Sequence, residues 1–372
     1  MTQVEIGIGK SARRGFGLDE ISIVPSRRTR DPEEVNISWR LDAFDRALPL
    51  MAAPADSVVS PTTAVAIDQL GAMATLNLEG LWTRYEDPMP LLREIAGLEG
   101  PGATARIQEI YRAPIQPELV VQRIADIAAT GAVTCGAVTP QHAAELSPTL
   151  LDAGLNVLVI MGTVVSAEHV TKDGEPLNLK SFIREIDIPV VVGGCASFQA
   201  ALHLMRTGAV GVLVGVGAGR STKTRSVLGI GAPQATAIAD AAGARSQHLE
   251  ETGVYVQVIS QGNCATGGDI AKAIACGADA AMMGAPLARA FEAPGAGVHF
   301  GPDASHQQIP RGLPIRVDQH ASLEEILLGP SRFADGSTNF AGTIRNTLAL
   351  CGYASVREFH KAEIVLGQGV HA

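Results

Sequence analysis

Aromatic residues and paired cysteines are scarce in this chain, and each scarcity restricts the class of protein. Only 4% of the 372 residues are aromatic, whereas glycine occurs 40 times, a balance that suits closely packed βα units. The five cysteines, Cys135, Cys195, Cys264, Cys276 and Cys351, include no CxxC pair. The sequence therefore predicts neither a metal site nor a dithiol, and we expect buried thiols in a reducing compartment.

Excess positive charge and long apolar runs are lacking as well. The formal net charge is −9, which argues against a general nucleic-acid or membrane surface. No stretch approaches the roughly 20 apolar residues of a membrane span, and the N-terminal residues contain no long apolar region typical of a signal peptide. We therefore expect a cytoplasmic protein whose partners include neither nucleic acid nor membrane. Hydrophobic residues, at 46%, are sufficient for a large core.

Eight short apolar runs alternate with helical patterns along most of the chain. The predicted strands are 48–53, 72–76, 133–138, 157–161, 189–193, 211–216, 254–259 and 280–283. The predicted helices between them are 61–70, 118–130, 140–154, 178–186, 197–207, 232–252 and 267–276.

This alternation predicts a TIM (β/α)8 barrel that forms a single domain over residues 1–372. An N-terminal segment precedes the barrel, and a C-terminal helical extension near 322–329 and 339–352 follows it. A doubly wound open sheet is the alternative, but it would need a topological break that the sequence does not show.

The stretch Val212–Gly231 carries the clearest functional pattern. Its apolar start is followed by three alternating glycines and then by the basic and hydroxyl residues of RSTKTR. Such a turn lets backbone N–H groups approach an anion, and the side chains add charge-assisted contacts. The pattern alone leaves two alternatives open, a phosphate-bearing ligand or a tight strand-to-helix turn with solvated charges, and the resemblance described below favours the first.

In a TIM barrel the active site lies at the carboxyl ends of the strands. This rule brings further glycine-rich strand ends to the same rim, although glycines used only for close packing remain the alternative. Residues 295–316, rich in glycine, proline and histidine without a period, are predicted to form an active-site flap. The predicted substrate- or phosphate-binding residues are Gly194, Gly215, Gly217, Gly219, Arg220, Ser221, Lys223, Gln261, Gly262, Asn263, Gly284 and Ala285.

Seven motifs, spread in order along the chain, resemble the IMP dehydrogenase/GMP reductase family. They are GLDEISIVPS at 17–26, PLMAAPADSV at 49–58, VVVGGCAS at 190–197, VLVGVGAG at 212–219, GIGAPQATA at 229–237, GGDIAKAIACGADAAMMG at 267–284 and EAPG at 292–295. No pair of regulatory CBS modules is inserted after the second strand. The chain therefore resembles the short members: GMP reductases and, by its C-terminal segment, the actinobacterial-type IMP dehydrogenase-related proteins.

The resemblance implies a barrel that binds a purine nucleotide and NAD or NADP, and it leaves room for a monovalent cation. It also implies a homotetramer or octamer. In the family, a loop cysteine forms a covalent adduct with the purine during hydride transfer. That position falls on Thr222, whose hydroxyl is a poor nucleophile unless a strong base is adjacent, and spacing indicates none. Thr224 matches a family threonine near the activated water or leaving group. Both are predicted as catalytic residues, with helix capping as the alternative role.

Several ligand positions of the family are changed. Its ribose-binding aspartate falls on Gln261, its phosphate-binding serine on Ala285, and the aspartate near the nicotinamide ribose on Met161. The glycine frame is kept while the polar lining differs. Three functions remain open: a repurposed enzyme acting on a nucleotide or related phosphorylated compound, an ordinary IMP dehydrogenase or GMP reductase, and a nucleotide-binding regulatory protein without chemistry.

Residues near the predicted site invite further interpretation. Cys195 and Cys264 are interpreted as buried, inert thiols. His299, His306 and Arg311 lie in the flap, but their spacing does not match the family and they receive no role.

Overall fold

Eight parallel strands close into a barrel in the computed structural model, which describes residues 3–100, 102–168 and 177–367. The strands are β1 Leu50–Ala52, β2 Met73–Asn77, β3 Cys135–Val138, β4 Val157–Met161, β5 Val190–Cys195, β6 Gly211–Val214, β7 Gln257–Gln261 and β8 Ala280–Met283. Each strand pairs with its sequence neighbours, and β8 closes the barrel on β1. The predicted TIM barrel is confirmed, and the glycine-rich loop follows the sixth strand as predicted.

Helices connect successive strands on the outside of the barrel. They are α1 Pro61–Gln69, α2 Met89–Gly97, α3 Gly102–Ile110, α4 Pro117–Ala128, α5 Ala143–Asp152, α6 Leu179–Glu185, α7 Phe198–Met205, α8 Thr224–Leu228, α9 Gln234–Thr252 and α10 Gly267–Ala275. The C-terminal extension contains α11 Leu323–Leu327, α12 Phe340–Leu350 and α13 Val356–Phe359. Local sequence explains where α1 begins. The side chain of Ser60 accepts a hydrogen bond from the Thr63 N–H, and Pro61 occupies the first turn.

The seventh strand is the one whose predicted position is wrong, by about three residues. The sequence predicted it at 254–259, but β7 is Gln257–Gln261. Gly253 ends α9 in the left-handed conformation at φ 73°, and an extended link of three residues then leads to the barrel. Val254 lies in this link and is 55% exposed. Its apolar side chain suggested the start of the strand, but it belongs to the connection before it.

Two apolar layers form the core. Inside the barrel, alternate residues of the strands, such as Val157, Val159 and Leu213, pack with Met51 and Met282. The intervening residues face outward against the helices. Trp39 and Leu41, from the short hairpin Trp39–Leu41 and Phe44–Arg46, pack against the inner layer. The opposite, carboxyl end remains available for a site.

Short antiparallel pairs at the chain ends were not predicted from the sequence. Gln3–Gly7 pairs with Lys10–Arg13 in a hairpin, and Ile21–Ile23 pairs with Ile364–Leu366. The second pair joins the N-terminal segment to the C-terminal extension across the whole length of the chain.

The segment predicted as a flap contains regular structure. Val298–His299 pairs with Ile315–Arg316, and Pro302–Ala304 forms a 3-10 turn. An isolated antiparallel bridge joins Gly312 to Thr222 of the glycine-rich loop. The segment is therefore attached to the loop that it was predicted to cover. Within the described ranges, no helix is long and apolar enough to cross a membrane.

Candidate active site

A cavity of about 760 Å³ opens at the carboxyl ends of the barrel strands. Residues at or just beyond seven strand ends line it: Ala53, Asn77, Val138, Met161, Gly215, Gln261 and Gly284. Another wall comes from the segment after β8, including Gly301, Asp303 and Arg311. Because TIM-barrel active sites lie at this end, the cavity is the candidate active site.

Most of the residues predicted to form the site line this cavity. They are Gly215, Gly217, Gly219, Arg220, Ser221, Thr222, Thr224, Gln261, Gly262, Asn263, Gly284 and Ala285. Gly194 and Lys223, which were predicted with them, lie outside its lining. Gly194 packs against the next strand end, where an added Cβ would come 2.5 Å from the Gly215 carbonyl oxygen. The exposed Lys223 contributes its backbone N–H to Arg311 O at 2.5 Å.

Close packing explains several glycines of the rim. Gly215 has φ 149°, and a Cβ there would lie 2.1 Å from the Gln261 carbonyl oxygen. Gly262, at φ 87°, would clash with the backbone of Ala218. Gly219 differs, because an added Cβ would meet only the Thr222 methyl group, at 3.8 Å. The packing alternative therefore accounts for Gly215 and Gly262, whereas Gly219 faces open space.

The glycine-rich loop presents free hydrogen-bond donors to the cavity. The backbone N–H groups of Gly217, Gly219 and Arg220 donate to no backbone acceptor in the described part of the chain. All three residues line the cavity, and the guanidinium of Arg220 lies at its exposed rim. Unpaired N–H groups beside a cationic side chain form an environment that favours an anion.

Thr222 lies at the centre of a hydrogen-bond network. Its hydroxyl donates to Asp303 Oδ2 at 2.9 Å and lies 2.8 Å from the hydroxyl of Thr224. The Thr224 N–H also donates to Thr222 Oγ1, at 3.3 Å. With one proton on each hydroxyl, the arrangement with the shortest contacts has Thr224 donating to Thr222 and Thr222 donating to Asp303. Thr222 can instead donate to the Arg311 carbonyl oxygen at 3.2 Å, and Thr224 to Asp303 Oδ2 at 3.4 Å.

Asp303 is the carboxylate that sequence spacing did not reveal beside Thr222. Arg311 holds it through a 3.0 Å ion pair to Oδ1, and the same guanidinium donates to Thr163 Oγ1 at 2.5 Å. Spacing indicated no base near Thr222, and the structure places this carboxylate beside it. Little in the sequence indicated this contact, because Asp303 lies 81 residues further along the chain than Thr222, in a segment without a hydrophobic period.

A second polar cluster lines the cavity and was not predicted. The side chain of Glu79 pairs with His142 Nδ1 at 2.8 Å and accepts a hydrogen bond from the Thr139 N–H. Arg84 lies beside it and donates to the Glu79 carbonyl oxygen at 3.0 Å. These residues follow β2 and β3, so their position at strand ends was their only sequence signal.

Comparison with known proteins identifies the family. The sequence model of the family described as IMP dehydrogenase / GMP reductase domain matches residues 15–313. The chain belongs to this family of oxidoreductases. An uncharacterized oxidoreductase of Mycolicibacterium smegmatis is 46% identical, with 98% of this chain and all of the relative covered. The inosine-5'-monophosphate dehydrogenase of Cryptosporidium parvum is 26% identical, with 95% of this chain and 92% of that protein covered.

A solved structure is similar over nearly the whole molecule. The crystal structure of an IMP dehydrogenase/GMP reductase-like protein from Corynebacterium glutamicum superposes with a TM-score of 0.94 at 42% identity. The match covers 98% of both chains.

The cysteines of this family member do not form a reactive thiolate at the site. Cys195 is 1% exposed, lies outside the cavity lining, and burial raises its pKa to about 12. Cys264 lines the cavity but is 5% exposed, and burial likewise raises its pKa to about 12. Since the thiolate is the nucleophile, neither thiol is suited to replace a loop cysteine.

Gln261 and Met161, the two residues at changed ribose positions, contact each other. Gln261 Nε2 lies 3.2 Å from Met161 Sδ, and both residues line the cavity. Gln261 Oε1 is buried without a hydrogen-bond partner among the described residues. An unpaired buried acceptor is costly, so a bound donor group would stabilise this position.

Proposed function

We propose that this chain is a nicotinamide-dependent oxidoreductase that acts on a purine nucleotide or related phosphorylated compound without a covalent thiolate adduct. The observation that carries the proposal is Thr222, whose hydroxyl is held by Asp303 at the loop position matched to the family cysteine. A threonine next to a carboxylate can move a proton, whereas it is a poor nucleophile for a purine carbon.

Proton transfer is the role that fits the network. Oxidation of a carbon that bears a hydroxyl group releases a hydride from carbon and a proton from oxygen. Asp303 accepts that proton through Thr222, while Thr224 orients the Thr222 oxygen. Arg311 keeps Asp303 in place through its ion pair with Oδ1.

The phosphorylated end of the ligand is proposed to lie against the glycine-rich loop. Gly219 leaves open space there, the loop N–H groups are free, and Arg220 supplies a positive charge. Phosphate oxygens satisfy such donors in many proteins. No carboxylate side chain comes from this loop, and the nearby Asp303 is paired with Arg311.

NAD or NADP is proposed to bind in the part of the cavity lined by Thr139, His142 and Arg84. Hydroxyl, imidazole and guanidinium groups can bind ribose hydroxyls and a pyrophosphate. The unpaired Gln261 Oε1 can accept a hydrogen bond from a bound amide or hydroxyl group. When bound, the cofactor supplies the hydride acceptor or donor.

Three further features belong to the same proposal. Residues 295–316 act as the active-site flap of a single barrel domain without CBS modules. The chain assembles as a homotetramer or octamer, as family resemblance implies. A monovalent cation remains part of the proposal through the same resemblance.

The test follows absorbance of the reduced nicotinamide in the purified protein. We expect neither oxidation of IMP with NAD nor reduction of GMP with NADPH, because Thr222 cannot form the thiolate adduct. Thr222→Cys should not restore full activity, since Met161, Gln261 and Ala285 also differ from the family. Mass spectrometry should detect no adduct on any cysteine.

Each outcome separates the three functions. Robust turnover of IMP or GMP by the unmodified protein, or an adduct on Cys195 or Cys264, would return it to ordinary family chemistry. Thermal-shift binding of nucleotides without nicotinamide turnover of any phosphorylated compound would favour a regulatory protein. Turnover of a different phosphorylated compound, lost in Asp303→Asn, supports the proposal.

A further inference from the structure

His299 lies in the cavity wall beside the end of β8. It is 6% exposed and belongs to the two-residue strand Val298–His299. The imidazole edge covers Gly284, where an added Cβ would come 2.7 Å from Cε1 and 3.0 Å from Nε2 of the ring. Only glycine at 284 therefore leaves the ring in this position. The close approach of the ring explains why residue 284 is glycine without any direct contact between Gly284 and a phosphate.

One nitrogen of the His299 ring is held by the protein. Nδ1 lies 3.3 Å from Ser57 Oγ, which accepts a hydrogen bond from the Phe300 N–H at 3.2 Å. The single hydroxyl proton of Ser57 can go to Nδ1 or to the Phe300 carbonyl oxygen, which is 3.2 Å away. When Ser57 donates to Nδ1, the ring proton is on Nε2.

The other nitrogen has no protein partner. Nε2 makes no hydrogen bond within the described ranges. It also keeps some accessible surface, because it does not belong to the fully buried polar atoms that lack a partner. His299 lines the cavity, so Nε2 is open to it. A buried imidazole with one nitrogen fixed and the other free is arranged to contact a ligand.

The surroundings of Nε2 favour an anionic ligand. Burial and the nearby charge of Arg220 lower the pKa of His299 to about 4, which leaves the ring neutral at physiological pH. Arg220 is the charged group that acts on the ring, and it is positive. The side chain at position 285 is a methyl group and offers no hydrogen bond. His299 is therefore a side-chain donor for an anion near Gly284, beside the other donors that line the cavity, Arg220, Ser221 and Arg289.

We propose that His299 binds the phosphate group of the ligand, donating from Nε2 as a neutral imidazole oriented by Ser57. It thereby supplies the hydrogen bond that is absent at Ala285. The proposal rests on the proposed function, because it assumes a phosphorylated ligand in this cavity. It assigns a ligand-binding role to a histidine that lies outside the motifs of the family resemblance.

Calorimetric titration with IMP, inosine and inorganic phosphate tests the assignment. His299→Phe keeps a flat ring but removes the donor, and it should weaken binding of IMP and phosphate about tenfold to hundredfold. Inosine binding should change little, since it has no phosphate. His299→Gln can donate from its amide and should recover part of the affinity. His203→Gln, at an exposed histidine of α7, is the matched control and should bind like the unmodified protein.

The outcomes distinguish this proposal from the one on which it rests. Preference for IMP over inosine that persists unchanged in His299→Phe overturns the role of His299 and leaves the proposed function standing. A protein that binds IMP no better than inosine, and does not bind phosphate, overturns both. If His299→Phe does not fold, as judged by circular dichroism, Ser57→Ala decides. Ser57→Ala removes the hydroxyl that donates to Nδ1, so the ring proton is no longer held on Nε2 and phosphate binding should weaken severalfold. Unchanged phosphate binding in Ser57→Ala overturns the proposal.

Discussion

Asp56 is a buried carboxyl group behind the cavity wall, and it makes stability depend on pH. It is 2% exposed and accepts hydrogen bonds from the Tyr111 hydroxyl and from Asn77 Nδ2 at 3.4 Å. Its Oδ1 has no partner among the described residues. Burial raises its pKa from 3.8 to about 6, so the folded protein binds this proton more tightly than the unfolded chain does.

Replacing Asp56 by Asn should therefore stabilise the protein at neutral pH. The contribution of the protonated carboxyl is complete below about pH 4 and is lost as pH rises through about 6, a loss of about 3 kcal/mol. In urea unfolding we expect the stability of Asp56→Asn to exceed that of the unmodified protein at pH 7.5 and to match it near pH 3.5. Asp45→Asn, at an exposed carboxyl, should show no such difference. A gain that is equal at both pH values would contradict this account.

At the residue scale, sequence reasoning located the loop but not its partner. Thr222 was predicted from the resemblance, which matches it with the cysteine position of the family's glycine-rich loop, and it lies in the cavity lining. Asp303 could not, because hydrogen bonding across the cavity joins it to Thr222 from a segment without periodicity. Lys223 was predicted together with its loop neighbours but lies outside the cavity lining, because adjacent residues in a turn point in different directions and only the backbone path decides which of them face a cavity.

At the element scale, a buried ion cluster ties α9, β7, β8 and α13 together. Asp279 accepts hydrogen bonds from Arg245 at 2.7 Å, from the Tyr255 hydroxyl at 2.6 Å and from the Val258 N–H at 2.7 Å. His360, just after α13, lies 3.8 Å from Asp279 and 3.0 Å from the Ala278 carbonyl oxygen. The side chains of Asp279 and Arg245 are each 8% exposed.

Asp279→Ala should destabilise the fold by about 3–5 kcal/mol, because it leaves the Arg245 charge buried without its partner. Guanidinium unfolding followed by circular dichroism measures the change. Tyr255→Phe removes one hydrogen bond and should cost about 1 kcal/mol. Asp318→Ala, at an exposed carboxyl, is the control and should be near neutral. A loss below 1 kcal/mol for Asp279→Ala would show that the cluster does not hold these elements together.

Strands and helices with an apolar face could be predicted, and elements without one could not. The barrel strands are buried on both faces and appear in the sequence as short apolar runs. The hairpin Gln3–Gly7 and Lys10–Arg13 is almost fully exposed, so no core-facing pattern marked it. The shift of β7 has the same origin, because Val254 is apolar but faces solvent.

At the scale of the whole molecule, the N-terminal hairpin leaves apolar side chains uncovered. Val4 is 50% exposed, Ile6 69% and Ile8 fully exposed. The segment after the hairpin is attached to α9, where the Phe16 N–H donates to Thr236 Oγ1 at 2.8 Å and Arg13 pairs with Asp240. A two-stranded hairpin is marginally stable alone, and an exposed apolar patch of this kind marks a protein interface.

The hairpin should therefore pack against another copy of the chain in the expected tetramer or octamer. Ile6→Lys combined with Ile8→Lys places two charges in that interface and should shift the assembly to smaller species. The barrel itself should stay folded, because neither side chain packs into the core. Size-exclusion chromatography with light scattering gives the mass, and Val254→Lys serves as a control at another exposed apolar residue. A monomeric unmodified protein at micromolar concentration, or an unchanged mass in the double variant, would show that the hairpin does not form an interface between copies of the chain.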